Sequence, residues 1–210
     1  MRLRKKPWIG EAIKEYGDIV TMSGCPGCWH EAFGRRAPLR VELGTGRGHF
    51  ISELARREPA VNFVGVEAER DVIFYAARKV REKALANVRL LHFDAGNIVA
   101  AFGPAEVERL YINFCDPWPK SRHAKRRLTH GRFLAMYKVI LAPSGRLFFK
   151  TDNADLFAFS LEQATEAGLG LENVNYDLHA AGAADNIMTE YEAKFSALGQ
   201  KIFACEMVFV

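Results

Sequence analysis

Short apolar runs alternate with amphipathic stretches through most of this 210-residue chain. Such alternation suits strands buried between helices, and so points to an α/β protein with a parallel sheet. Residues 39–43, 61–66, 88–92 and 109–114 read as the first four strands. Helices are expected over 49–58 and 69–83 between them. Leu128, Phe133, Met136, Tyr137 and Ile140 recur near helical spacing and predict one long helix over 123–141. Pro143-Ser144-Gly145 predicts a turn, followed by a fifth strand over 146–151. Further on, a helix over 154–167 is expected to stop at Gly168, with a strand around 172–178, a helix over 188–198 and a last strand over 201–210. The small residues of 180–184 read as a mobile stretch. The first 35 residues have weaker periodicity and read as an extension that orders on RNA, ahead of a domain spanning 36–210.

The stretch Asn113 to Arg127 carries the most chemical information. The apolar run Leu110-Tyr111-Ile112 feeds into a carboxylate, Asp116, and then Pro117-Trp118-Pro119 holds the backbone extended. Lys120, Arg122, His123, Lys125, Arg126 and Arg127 follow within eight residues. One acid at a rigid strand end beside a dense cationic patch suits a polyanion whose reactive base must meet a carboxylate. The net charge is only +4, so this local clustering, with a second basic run at 2–6, says more than the sum. Taken singly, a basic run is also what a solvated helix face looks like, and an acid before proline is also a turn residue.

No apolar run approaches the roughly 20 residues of a membrane span. The basic start, through Pro7-Trp8, lacks the apolar core of a signal peptide, so a cytoplasmic protein with no membrane partner is expected. Four cysteines in a chain of this length do not suggest a disulfide scaffold. Cys25-Pro26-Gly27-Cys28 has the spacing of a metal or redox pair, with His30 nearby, but no second pair completes a four-ligand zinc site. Reduced turn cysteines and no metal are the favoured reading, with metal and redox roles left open.

The first strand runs into Glu42-Leu43-Gly44-Thr45-Gly46-Arg47-Gly48. Glycines at a strand-to-helix turn let a ligand approach the backbone closely. The next strand ends at Glu67, placed to accept hydrogen bonds from both ribose hydroxyls of a nucleoside. A dinucleotide fingerprint would need another glycine where His49 stands. Glu42 would repel a pyrophosphate but suit the ammonium of an amino acid. S-adenosylmethionine offers both an adenosine and that ammonium. Asp94, at the end of the third strand, could accept from the adenine amino group, or simply cap a helix.

With these motifs in place the chain closely resembles the bacterial tRNA (guanine-N7-)-methyltransferases. The matching segments are 41–48, 65–67, 113–128, 149–153 and 186–195, in the family's order. The resemblance implies a class I S-adenosylmethionine-dependent methyltransferase with a Rossmann-like fold: a seven-stranded, mostly parallel sheet with helices on both faces and the last strand antiparallel. It implies methyl transfer to N7 of a guanine in the tRNA variable loop, conventionally nucleotide 46, by a monomer or homodimer. Carried over residue by residue, Glu42, Gly44, Gly46, Glu67, Asp94 and Asp116 match cofactor positions, and Asp116 also matches the proposed active-site acid. Lys120, Asp152, Thr189, Glu190, Tyr191 and Glu192 match substrate-contacting positions. Arg122, His123, Lys125, Arg126 and Arg127 match an RNA-contacting stretch.

Guanine N7 carries a lone pair and no proton, so this chemistry needs positioning and charge stabilisation and no general base. Asp152 or Glu192 is expected to read the N1–H and N2 amino edge. Cys115, beside Asp116, is not required as a nucleophile. Two rival readings remain: a methyltransferase acting on an exocyclic amine, because Asp-Pro-Trp-Pro resembles that group's motif, and a non-catalytic RNA-binding module on the same fold.

Overall fold

The computed structural model describes residues 6–182 and 186–209. One eight-stranded sheet runs in the order β1-β4-β3-β2-β5-β6-β8-β7. Its strands are β1 (Val20–Thr21), β2 (Leu39–Leu43), β3 (Asn62–Glu67), β4 (Val88–His92), β5 (Val107–Asn113), β6 (Leu141–Thr151), β7 (Gly170–Asn175) and β8 (Phe203–Val208). The strands from β1 across to β6 pair in parallel, and β8 is antiparallel to both β6 and β7. The helices are α1 (Ile9–Ala12), α2 (Trp29–Phe33), α3 (His49–Arg57), α4 (Arg70–Glu82), α5 (Gly131–Ile140), α6 (Ala154–Glu166) and α7 (Glu190–Ser196).

Residues alternate between two cores, one on each face of the sheet. Val41 and Leu43 of β2 join α5 and α6 on one face. Phe63 of β3 joins α1, α3 and α4 on the other. Burial on both faces makes β2 apolar at Leu39, Val41 and Leu43 and β4 apolar at Val88, Leu90 and Leu91. It also forces Arg40 and Glu42 of β2 inward. Arg40 resolves this by donating to Glu58 and Glu108, whereas Glu42 lies at the strand end beneath the glycine turn.

Several expectations are corrected. The sheet has eight strands because β1 adds a two-residue edge beside β4. Residues 6–35 form short elements already packed on the domain: Ile9, Ile13 and Ile19 are buried, and Trp29 stacks on Phe102 at 5.4 Å while donating to the Ala101 carbonyl. Elements this short leave little periodicity to detect. The expected helix over 123–141 is broken. A 3-10 turn, Ser121–Arg126, is followed by extended backbone at Arg127, and α5 starts only after His130, whose ring accepts from the Arg132 N–H. The 143–145 turn sits inside β6 as an irregularity, with Ser144 at φ 59°. The strand expected at 172–178 begins earlier, at Gly170, and Val210 lies outside the described residues.

Cys25 and Cys28 are joined as a disulfide, in place of the reduced pair that was favoured. Gly27, at φ 77°, lets the chain turn tightly enough for the Cys28 N–H to reach the Cys25 carbonyl. Within the mobile stretch expected at 180–184, residues 183 and 184 lie outside the described residues, as do residues 2–5 of the basic start. No helix among the described residues is long and apolar enough to cross a membrane.

Candidate active site

The strand order reverses beside β2: the chain proceeds outward through β3 and β4, then returns to lay β5 on the other side. Open α/β sheets bind ligands in the crevice such a reversal leaves at the carboxyl ends of the strands. A cavity of about 170 Å³ lies there, lined by Glu42, Gly44, Thr45, Arg47, His49, Phe50, Asn113, Phe114, Thr189, Glu190 and Tyr191.

The turn after β2 forms its floor. The N–H groups of Gly44 and Thr45 donate to the Val66 carbonyl, locking the turn against β3. Gly44 has φ 73°, and a Cβ built there would meet nothing within 4 Å, so the backbone faces open space. Gly46, at φ 57°, donates its N–H to Glu67 Oε2 at 3.0 Å, while Glu67 Oε1 accepts from the Glu69 N–H at 3.0 Å. Each carboxylate oxygen can accept more than one hydrogen bond, so Glu67 retains capacity for a ribose.

Glu42 is 4% exposed. It accepts from Thr45 Oγ1 at 2.6 Å and from Asn113 Nδ2 at 3.0 Å. Burial pushes its carboxyl up to about 7, against the lowering effects of those two hydrogen bonds and of the nearby Lys150 charge. A buried carboxylate with neutral partners is a receptor for a ligand cation. The open face at Gly44, Glu67 at the neighbouring strand end and Glu42 behind them fit the adenosine and ammonium of S-adenosylmethionine.

Asp94 caps the 3-10 turn Ala95–Ala100 by accepting from the Gly96 N–H at 2.8 Å through Oδ1. It is exposed at the end of β4, so the cap accounts for one oxygen and leaves the other outward.

Asp116 is exposed, two residues beyond Phe114, and no side chain among the described residues bonds to it. Phe114 at φ 53° and Trp118 at φ 42° are left-handed without being glycine, a strained exit from β5. Arg127 supports that exit. Its guanidinium donates to the Pro117 and Trp118 carbonyls at 3.1 and 3.2 Å and lies 4.3 Å from the Phe159 ring centroid. Arg127 is thus engaged with the protein itself, unlike exposed Lys120, Arg122 and Lys125. His123 is half-buried, edge-on to Trp118, and Arg126 covers the same ring at 4.8 Å. Burial, then the Asp116 charge, push the Cys115 thiol up to about 12, which leaves it protonated and unsuited to nucleophilic attack.

The opposite wall comes from 186–196. Thr189 caps α7 and exchanges a capping box with Glu192. Glu190 bonds Lys79 of α4 at 2.8 Å and lies 3.6 Å from His49 of α3, and the Lys79 hydrogen bond holds its carboxyl below the usual range. Tyr191 donates to Asp152 Oδ2 at 3.1 Å and packs on Phe114 and Phe195. Glu192 departs from expectation. It is fully buried, accepts from Lys150 Nζ at 2.8 Å and Asn186 Nδ2 at 2.6 Å, and offers no face to a base. Of the two acids expected to read guanine, Asp152 alone is accessible.

Sequence reasoning overlooked Asn113, Thr45, Phe114 and Lys150. A signal existed for two of them: Asn113 and Lys150 are polar residues directly following the apolar runs Leu110-Tyr111-Ile112 and Leu147-Phe148-Phe149, where burial makes a specific partner obligatory.

A glycine turn facing open space, followed by carboxylates at successive parallel strand ends, defines an S-adenosylmethionine-dependent methyltransferase of the class I fold. Residues 36–205 match the family described as putative methyltransferase. The crystal structure of the 16S rRNA methyltransferase KamB superposes with a TM-score of 0.68 at 13% identity, covering 90% of this chain and 95% of that one, a likeness of fold alone. The tRNA (guanine-N(7)-)-methyltransferase of Geobacillus kaustophilus is 49% identical over 210 residues, 99% of this chain and 97% of that protein. Its counterpart in Bacillus subtilis is 46% identical over 209 residues, 99% and 98% of the two chains. The chain belongs to the tRNA (guanine-N7-)-methyltransferase family, and its cofactor is S-adenosylmethionine.

Proposed function

We propose that this enzyme methylates N7 of a guanine in the variable loop of tRNA, conventionally nucleotide 46. The observation that carries the reading is the cavity itself. Glu42 and Asn113 close one side of it, while Thr189, Glu190 and Tyr191 form the other and Tyr191 holds Asp152 beside it.

S-adenosylmethionine, when bound, supplies an electrophilic methyl group on a sulfonium. Gly44, Gly46, Glu67 and Asp94 take its nucleoside end, and Glu42 its ammonium. The base needs no deprotonation, since N7 presents a lone pair. The protein's task is to orient the purine and exclude water, and orientation alone can supply about 7–11 kcal/mol of a barrier. Asp116, free at the strained exit of β5, faces the base and favours the positive charge that the purine gains. Asp152 accepts from N1–H and the N2 amino group, donors that adenine does not present together, and such a bidentate pair discriminates by about 1–3 kcal/mol. Phe114 and Tyr191 give the purine an aromatic wall.

Lys120, Arg122, Lys125 and Arg126 contact phosphates, with His123 and Arg127 shaping the loop that presents them. Lys6, which donates to Tyr75, and Arg47, which lies over the same ring, add two cations outside this loop. Reaching a stacked guanine within folded tRNA requires local unstacking.

The test is labelled methyl transfer to an unmodified tRNA transcript and to one with the variable-loop guanine replaced by adenosine. Incorporation into the first and none into the second supports the reading. Equal incorporation into both overturns the assigned nucleotide.

A further inference from the structure

Lys150 is buried at the end of a central strand, paired with Asn113 of β5 on one side and Ala204 of β8 on the other. An ammonium has three donors. All three go to one segment: Asn186 Oδ1 at 2.9 Å, the Ile187 carbonyl at 3.0 Å and Glu192 Oε2 at 2.8 Å. Burial lowers the Lys150 ammonium from its usual range, and the Glu192 carboxylate opposes that.

The acceptors belong to the arm that forms one wall of the cavity. Glu192 also accepts from Asn186 Nδ2 at 2.6 Å and the Thr189 N–H at 3.3 Å, so the ion pair continues into the capping box of α7. His179 Nε2 lies 3.3 Å from Glu192 Oε1, without hydrogen-bond geometry. On the backbone side, the Lys150 carbonyl accepts from the Phe114 N–H at 2.9 Å, at the strained exit of β5 that leads to Asp116. The Phe114 and Tyr191 rings then meet at 5.1 Å. One residue thereby joins the loop carrying Asp116 to the arm carrying Tyr191.

We infer that Lys150 is a positioning residue for methyl transfer, and that its buried pair with Glu192 anchors the arm 186–196 against the β5 exit. Glu192 acts through that anchor and does not touch the base. This rests on the proposed reaction at the same cavity. Glu190 and Tyr191 fasten the arm at its outer surface, where solvent competes, while Lys150 fixes it from within. Breaking a buried pair on one side leaves a charge uncompensated, so each single change releases the arm.

The experiment compares Lys150→Met, Glu192→Gln, their double variant and Asn186→Ala with the wild type. Melting temperature, cofactor Kd, and kcat and KM for the tRNA transcript are measured, with kcat taken per binding-competent site. Misplacement by about 1 Å can cost on the order of 100-fold in rate. Lys150→Met and Glu192→Gln should each lose kcat on that order at saturating cofactor. Cofactor Kd stays within about threefold in Glu192→Gln, because the nucleoside end is held by β2 and β3, whereas Lys150→Met, whose charge also favours ionised Glu42, weakens it further. The double variant should be no worse than the weaker single, the coupling expected of two residues acting as a unit. Asn186→Ala should shift kcat in the same direction by less, and together with Glu192→Gln it decides the matter if Lys150→Met does not fold.

Wild-type kcat in folded Lys150→Met or in Asn186→Ala overturns the inference. So does a loss confined to Glu192→Gln with guanine selectivity relaxed, which would make Glu192 a reader of the base. A wild type that fails to methylate N7 strikes the proposed reaction instead, and the two failures are told apart by that control.

Discussion

On the proposed reading, Glu42 couples cofactor binding to pH. Its carboxyl titrates near 7 because it is buried, and only the ionised form offers a partner to an ammonium. An α-amino group stays protonated below roughly 7.7, so acidification in this range acts on the protein side. At pH 6 about a tenth of the carboxylate remains ionised against about three quarters at pH 7.5, while the ammonium fraction rises from about 0.6 to nearly 1, so Kd for S-adenosylmethionine should rise about fivefold between pH 7.5 and pH 6. Glu42→Gln removes the titration, and Kd in that variant should be nearly flat over the interval. Losing a buried charged hydrogen bond also weakens the variant at pH 7.5, by about 1.5–3 kcal/mol or roughly 10–150-fold. The ligand-free fold should respond in the opposite sense. A carboxyl raised from its unfolded value stabilises fully below about 4.5, and that contribution, about 3 kcal/mol, is lost as pH rises through 7. Ligand-free Glu42→Gln should therefore melt above the wild type at pH 8 while binding cofactor worse. Calorimetric titration at several pH values reads the Kd. A wild-type Kd constant within twofold from pH 6 to 7.5, or an equal slope in the variant, refutes the reasoning.

Other consequences are more local. Asp152→Asn should lower activity and relax the preference for guanine over adenine by about 1–3 kcal/mol, read by competition between matched transcripts; unchanged selectivity removes Asp152 from that role. Lys125→Ala with Arg126→Ala should reduce the slope of log affinity against log salt by about 1.5, measured by filter binding over a salt series; an unaltered slope makes the patch a solvated face. Gly48→Ala should destabilise by about 1–3 kcal/mol in thermal melts, since its Cβ would lie 2.9 Å from that of Ala76 at φ 70°.

The strands that carry the site were legible because their buried positions are apolar: Leu39, Val41 and Leu43 in β2, and Val88, Leu90 and Leu91 in β4. β2 and β4 appear at their expected bounds. The glycine turn and Glu67 were legible too, since close backbone approach and a strand-end acid leave a fixed spacing. Leu128 shows what periodicity misses. Its spacing suits a helix, yet the chain reverses at Thr129 and His130, where a side-chain cap and the inward pull of Arg127 outweigh propensity. Lys150 and Glu192 each look like an exposed charge in sequence. Only the pairing of β6 with its neighbours and the return of 186–192 across them reveal that the two charges form one buried pair. Long-range ion pairs of this kind leave no local pattern. The N-terminal segment hid for another reason, since its packing depends on single residues such as Ile9 and Trp29.

The most direct measurement is the position of the new methyl group. An unmodified tRNA transcript is methylated by the wild type, digested to nucleosides and resolved by mass spectrometry against standards. The account predicts N7-methylguanosine from the variable loop. A guanine or adenine methylated on an exocyclic amine would contradict it, because that chemistry must remove a proton for which the lone-pair mechanism provides no base.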